Sequence, residues 1–562
     1  MKLKSRVVST DVLIIGGGAA GCFSAISLAE KSSLKIIVAD KANIRRSGCL
    51  AAGVNALNAF IGEGESADTF LEYVKNDSEN VVRDDLVYTI AKRLNGVTDK
   101  IVGYGLPVLR DENGNYVMRG KRSVKINGEN IKPLLADKVG EFKNIEVMNR
   151  VNIIDFIVRD GEVAGAYGIS LETGEVVFIQ SRVTICATGG ASGIYKPNNP
   201  GHSRHKMWYS PFNTGAGYAM GIRAGAEMTT FEMRFIALRC KDTIAPTGTI
   251  AQGLNVKQIN SDGKYYVKDY GKATTPMRLY ATAMENMKGR SCFLETKGIS
   301  GEQETDLFKA YLNMAPSQVL KWFETGMFPS KSNVEICATE PYIVGGHTAS
   351  GYWVDTSRKT TLGRLYAIGD VAGGSPKKYV TGCFAEGEIA AESILSEIEF
   401  LDHLGMEEGF SGAVLDKLNN IQVSPVSNID SIKKTEENMQ SVMDKFAGGI
   451  SQNYIYTAEK LEVAEKSIDD ILLENEKLKA LDMYEMMQIF ENRDRLYVAK
   501  VLINHLKARK ETRWKGYQEN GDYPHKDDVN WTKHVNSLLE EGRVKIVFRG
   551  IVGKDEAYEH KN

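Results

Sequence analysis

Asp11-Val-Leu-Ile-Ile-Gly16-Gly-Gly18-Ala19-Ala20-Gly21 decides the fold of this chain. Val12–Ile15 has the length and β-branching of a buried parallel strand. The glycines then turn the chain into a helix, with Ala19, Cys22, Phe23, Ile26 and Ala29 spaced as a stripe for packing on a sheet. Gly16 permits the tight turn, Gly18 lets backbone approach a pyrophosphate, and Gly21 lets helix and strand pack closely. The helix N-terminus then meets the phosphate charge. A second apolar strand, Ile36–Ala39, ends at Asp40, nineteen residues after Gly21, where a carboxylate suits ribose hydroxyls.

NAD and FAD share that fingerprint, so later segments must separate them. Thr188-Gly189-Gly190 follows the apolar strand Val183–Cys186. Gly369-Asp370 follows Leu365–Ile368 and precedes Val371-Ala-Gly-Gly374. Three strand-end glycine segments in this order match the two-dinucleotide-binding flavoproteins and favour FAD, with Asp370 placed for the ribityl chain.

Working outward, residues 230–335 break the strand rhythm with mixed polar text and a helix-like stretch, Ala315–Thr325. Residues 430–512 are rich in Glu, Lys, Leu and Met at helical spacing. The expected architecture is α/β: a Rossmann-like, two-dinucleotide-binding FAD domain at 1–229 and 336–402, with an α+β capping domain inserted at 230–335. A helical domain at 403–530 and a C-terminal tail at 531–562 complete it.

Composition narrows the function. Seventy Lys and Arg against 72 Asp and Glu leave a net charge of −2, without the basic excess of a nucleic-acid binder. No apolar run approaches the roughly 18 residues needed to cross a bilayer. A cleaved leader would remove part of the fingerprint, so the expectation is a soluble, cytoplasmic protein. The seven cysteines are scattered and form no CxxC pair, which argues against a disulfide scaffold and against a locally bound zinc or iron–sulfur cluster.

Over nearly its whole length the chain resembles the fumarate reductase and succinate dehydrogenase flavoproteins. The C-terminal run Ala508-Arg-Lys-Glu-Thr-Arg-Trp-Lys-Gly-Tyr517, with Asp522-Tyr-Pro524 and Asp527-Asp528, is a signature of that superfamily. Within it the chain looks most like the α subunits of adenylyl-sulfate reductases. The segments carrying this likeness are Ser47-Gly48-Cys-Leu-Ala-Ala-Gly53-Val-Asn-Ala-Leu-Asn58, Tyr73-Val-Lys-Asn-Asp77 and Asn127-Gly128-Glu129-Asn-Ile-Lys132-Pro133. Met207-Trp208-Tyr209, Arg234-Phe235 and Arg239-Cys-Lys-Asp242 add to it. The most specific is Glu340-Pro-Tyr-Ile-Val-Gly-Gly-His347-Thr-Ala-Ser-Gly-Tyr352-Trp353.

The resemblance implies FAD-dependent reduction of an activated sulfate, adenylyl sulfate (APS) or its 3′-phosphorylated form (PAPS), to sulfite through a flavin N5–sulfur adduct. It places Lys41, Ser47 and Gly48 with the fingerprint residues along the cofactor. It makes Arg239 the arginine that binds the anionic substrate, suited by its forked donors. His347 is expected beside the flavin as a cation or donor to sulfate oxygens, and Trp208 and Asn58 by the isoalloxazine. Glu129 and Tyr73 are expected to line the substrate channel. Because no histidine occupies Arg45–Gly53, where succinate dehydrogenases tether their flavin, FAD is expected to be non-covalent. The scattered cysteines leave electron supply to a ferredoxin-like iron–sulfur β subunit, in an αβ or α2β2 assembly.

Two departures keep alternatives open. Residues 250–300 lack the Arg-Gly-Glu-Gly segment of dicarboxylate enzymes, which argues against the competing reading of a fumarate reductase-like enzyme acting on a small unsaturated acid. A subunit that merely holds FAD for electron transfer is a further alternative. Where adenylyl-sulfate reductases carry an aromatic and aliphatic adenine clamp, this chain reads Gly248-Thr-Ile-Ala-Gln252. The basic loop His202-Ser-Arg204-His205-Lys206, with Lys377 or Lys378, could meet a 3′-phosphate, so APS and PAPS both stand.

Overall fold

A computed structural model of the protein describes residues 3–126, 130–199, 207–556, 558 and 560. Glu129, Arg204 and Lys206 lie outside the described residues.

The central sheet is built from β1 (Ser5–Ile15), β2 (Ile36–Asp40), β5 (Ile145–Asn149), β6 (Val151–Arg159), β7 (Glu162–Ser170) and β8 (Val176–Cys186); β3 (Ala56–Asn58) and β4 (Ser123–Lys125) pair separately. Its order is β5-β2-β1-β8-β7-β6, and the short strand Leu365–Ala367 also pairs with β8. The pairings of β1 with β2 and β8, and of β8 with Leu365–Ala367, are parallel. Ile15 stands level with Ala39 and Cys186, and Ala367 with Cys186. The register thus delivers the three glycine segments and Asp40 to one carboxyl edge, where open parallel sheets bind ligands.

The helix Ala19–Ala29 differs from the one-sided stripe that its spacing predicts. Residues from Ala20 to Leu28 are buried all round. The helix Tyr379–Glu397 covers its outer face, stacking Phe384 on Phe23 with ring centroids 4.6 Å apart. Gly387 makes that approach possible, since a Cβ there would stand 2.9 Å from the Ala20 carbonyl oxygen.

Residues 238–338 hold an antiparallel sheet of Leu238–Cys240, Val334–Ala338, Cys292–Leu294 and Gln258–Asn260. Helices Thr275–Met287, Gly301–Met314 and Pro316–Thr325 accompany it. A reciprocal capping box between Ser300 and Gln303 starts the second of these. Further on run the helices Phe410–Ile421, Ile429–Phe446, Ala458–Lys477 and Met483–Ala508.

Part of the stretch read as a tail, 531–562, is built into the fold. His534–Glu540 and Arg543–Arg549 form a hairpin whose first strand pairs with Met228–Thr229. Within the signature run, Arg509, Glu511 and Arg513 form a buried charge lattice. Arg509 meets Glu232 and Glu511, each at 2.8 Å, and Arg513 meets Glu511 at 2.6 Å. His534 is fully buried there. Burial first, then the charges of Arg83 and Arg509, press its pKa from the ordinary 6.5 down to about 3.

Unfolding restores the ordinary value. Between about pH 6.5 and 3 the unfolded chain therefore binds a proton that folded His534 refuses. The resulting stability rises with pH in that window and is lost as pH falls through it. His534→Gln is expected to flatten the dependence of unfolding free energy on pH by about 1.4 kcal/mol per pH unit near pH 5. Parallel slopes in denaturant titrations of the two proteins would show that His534 does not titrate this way.

Candidate active site

The glycine turn shows what it is built to receive. Gly16 has φ +103°, and a Cβ there would come within 2.5 Å of the Ala187 carbonyl oxygen. A Cβ on Gly21 would sit 2.0 Å from the Gly16 oxygen. At Gly18, by contrast, a Cβ would meet nothing within 4 Å, so this edge faces a hollow. Gly18 is also the helix N-cap and offers no side-chain acceptor, which leaves the first-turn N–H groups, beginning at Ala19 and Ala20, for a phosphate.

Asp40 braces this turn. One carboxylate oxygen accepts from the Gly17 N–H and the Ser47 hydroxyl, both at 2.8 Å, and the other from the Ala42 N–H at 2.7 Å. A carboxylate has about four lone-pair directions, so one remains for a ribose. Lys41 reaches Glu491 at 2.5 Å, and Gly48 lies exposed where a Cβ would come within 3.3 Å of the Gly18 Cα. Sequence reasoning missed the buried Lys132, which donates to the Gly17 oxygen at 2.6 Å and to the Ile44 oxygen.

The other two glycine segments are locked together. Tyr209 donates to Asp370 at 2.8 Å and accepts from the Gly190 N–H at 3.0 Å. The Asn213 amide donates to the Thr188 oxygen at 3.3 Å, beside Gly189. The Gly369 N–H meets Glu386 at 2.7 Å, and Tyr218 donates to the Asp370 oxygen at 2.6 Å. Cys49 keeps an exposed edge, yet the surrounding protein first, and the charge of Asp370 second, push its thiol up to about 12.

Beyond Asp370 stands an aromatic wall. His347 stacks on Phe235 at 4.4 Å and meets the edges of Trp208 at 5.2 Å and Tyr379 at 5.4 Å. Burial, the largest influence, lowers its pKa to about 4, with Asp370 opposing and Lys377 assisting. That disposes the imidazole to its neutral form at pH 7 and favours the donor of the two expected roles, cation or donor.

The Trp208 N–H meets the Tyr342 hydroxyl at 2.9 Å, and Tyr342 donates to Glu340. Arg239 lies on the same side, almost fully buried. Its guanidinium donates to the Thr243 oxygen at 3.0 Å and to Asn198 at 2.6 Å, while Nε has no partner among the described residues. No described carboxylate lies within ion-pair distance of it. Nearby Glu340 is pushed above the usual carboxylate range by burial, which weakens it as a counter-charge.

Tyr73 accepts from Lys377 at 3.1 Å and carries Arg122 over its ring at 4.4 Å. Lys377 is itself paired with Asp77. Lys378 cannot serve a phosphate, because its buried ammonium is spent on the Gly369 and Ala372 oxygens, each at 2.7 Å, and on Glu386. The turn Gly248–Ala251 touches the FAD side through a 3.3 Å bond from Asn55 to Thr249.

Sheet edge, glycine cradle and aromatic wall define a dinucleotide-binding flavoprotein. The chain belongs to the FAD binding domain family, which it matches over residues 11–383, and residues 436–559 match the fumarate reductase flavoprotein C-terminal family. It is 27% identical to the adenylylsulfate reductase subunit alpha of Megalodesulfovibrio gigas, over 95% of this chain and 94% of that one. The adenylylsulfate reductase structure from Archaeoglobus fulgidus superposes with a TM-score of 0.93 at 29% identity, covering 99% of this chain and 98% of that one. An adenosine-5-phosphosulfate reductase in complex with sulfite, as a covalent adduct, gives 0.93 at 28% identity with the same coverage.

Proposed function

We propose that this protein is an FAD-dependent oxidoreductase that reduces an activated sulfate, APS or PAPS, to sulfite and the matching nucleotide. The observation that carries this reading is Arg239, a buried cation without a described carboxylate partner, on the same side as the ring contact of Trp208 with His347. Burying a charge is costly unless something pairs with it, and an anionic substrate supplies the pair. The likeness to two adenylylsulfate reductase structures, one holding sulfite, supports the same chemistry.

Held along the glycine cradle and by Asp370, FAD would supply the two electrons that reduce sulfur, while the pair of the breaking sulfur–oxygen bond leaves on the nucleotide phosphate. The chain's own groups do the rest. Arg239 offsets the negative charge gathering on the leaving phosphate. His347, neutral and stacked, orients sulfate oxygens by hydrogen bonding, and Trp208 and Phe235 exclude water from the reacting edge. Asp370, braced by Tyr209, holds the ribityl chain.

Among the described residues no three His, Cys, Asp or Glu side chains could hold a metal ion, and no helix is long and apolar enough to cross a membrane. We infer a cytoplasmic enzyme that receives electrons from a ferredoxin-like iron–sulfur subunit, as an αβ or α2β2 complex. Nucleotide choice rests on the adenine end, where the turn 248–252 replaces the family's clamp.

The test is sulfite release from APS, PAPS and, separately, fumarate turnover, with a chemical reductant. Sulfite from either nucleotide is the expected result, and the better substrate names the nucleotide. Fumarate turnover without sulfite release would overturn the reading.

A further inference from the structure

We infer that Arg119 and Ser123 are positioning residues that lock the Asn58 amide with its N–H groups facing the substrate hollow. This rests on the reading of the hollow as an oxyanion-reducing site.

Arg119 forks across two asparagines. It donates to the Asn55 side-chain oxygen at 2.7 Å and, over a longer 3.5 Å, to that of Asn58. Ser123 donates to the same Asn58 oxygen. Arginine has no acceptor, so the atom facing it must be the amide oxygen, and the Asn58 orientation is thereby settled. The Asn55 amide nitrogen is spent on Thr249, at 3.3 Å. The Asn58 nitrogen has no acceptor among the described residues, which leaves two directed donors.

The place is the right one. Asn58 precedes Ala59, whose carbonyl accepts from Thr381 at 2.5 Å, in the first turn of the helix that Tyr379 opens. Tyr379 in turn meets the His347 ring. Arg119 has no described carboxylate within ion-pair distance, and burial is the main influence lowering its pKa. Its Nε lacks a partner among the described residues. An uncompensated cation on the oxygen side of an amide polarises it, which strengthens the N–H groups as donors to an oxyanion. Short and near-neutral as it looks in the sequence, Asn58 thus acts with part of the force of a charge.

The experiment titrates the FAD-loaded protein with sulfite and follows loss of the flavin's visible absorbance, a reading independent of turnover. In that reaction the sulfur lone pair bonds to N5 of oxidised flavin and the ring takes up the electron pair. Arg119→Met is expected to weaken sulfite binding about tenfold, and Arg119→Lys, which restores one charged donor, about threefold. In an Asn58→Ala background, Arg119→Met should cost less than about twofold, because its route of action is gone. A full tenfold further loss there would mean that Arg119 touches the anion itself and would overturn the inference, as would unchanged affinity in the single variant. If Arg119→Met fails to hold flavin, Ser123→Ala bears the same test, with an expected loss of about threefold that vanishes in the Asn58→Ala background. A wild type that sulfite does not bleach would instead overturn the site reading, and this inference with it.

Discussion

Arg239→Met is expected to lower kcat/KM for the activated sulfate by about 10²–10³, the usual cost of removing one preorganised charge from a developing anion. The fold should survive. The substitution strands two acceptors, the Thr243 oxygen and the Asn198 amide oxygen, and leaving buried acceptors unmade costs about 1–3 kcal/mol each. Methionine refills most of the volume and removes a buried charge, which recovers part of that loss. Flavin content and unfolding temperature should therefore stay near wild type while turnover collapses. Arg239→Lys should recover a minor part of the rate, since a point charge cannot reproduce the fork. Near wild-type turnover in Arg239→Met would remove Arg239 from the mechanism.

A single methyl group at Gly346 is expected to empty the cofactor site. A Cβ there would stand 1.7 Å from a carboxylate oxygen of Asp370, so either Asp370 swings or the loop retreats. Asp370 is held by Tyr209, and its carbonyl by Tyr218 and the Gly345 N–H, so neither escape is cheap. Overpacking of this kind costs about 1–3 kcal/mol, which corresponds to a hold on FAD weaker by about five- to 150-fold. Gel filtration of Gly346→Ala, followed by the ratio of visible to ultraviolet absorbance, measures it. A variant that elutes with full flavin would show that Asp370 does not set the cofactor's position.

These two residues show where sequence reasoning reaches and where it stops. The glycine segments at 16–21, 188–190 and 369–370 are readable because each is a local strand-to-turn pattern, and parallel pairing then assembles them without further information. Arg239 and His347 are readable only through resemblance. Their environments are made by residues far along the chain: Asn198 and Thr243 around the arginine, and Trp208, Phe235 and Tyr379 around the imidazole. No local pattern announces that a histidine will be neutral or that an arginine will lack a carboxylate. Arg119 is harder still. In the sequence it stands in a basic run with Lys121 and Arg122, which reads as a solvated surface, and only the fork onto Asn55 and Asn58 distinguishes it. The helix Ala19–Ala29 errs in the opposite direction, since a second helix more than three hundred residues away removes the solvent face that its stripe implies.

The hairpin at 534–549 carries a consequence for biosynthesis. Its first strand pairs with Met228–Thr229, more than three hundred residues earlier, and that pair stands directly before the segment leading to Arg239. On the ribosome the nucleotide cradle at 16–21 emerges early, whereas the strand that pairs with Met228–Thr229 emerges more than three hundred residues after them. Domains form as units during synthesis, so the glycine cradle can assemble before the hairpin docks on Met228–Thr229. The order of emergence makes docking of this hairpin a later step than assembly of the cofactor cradle.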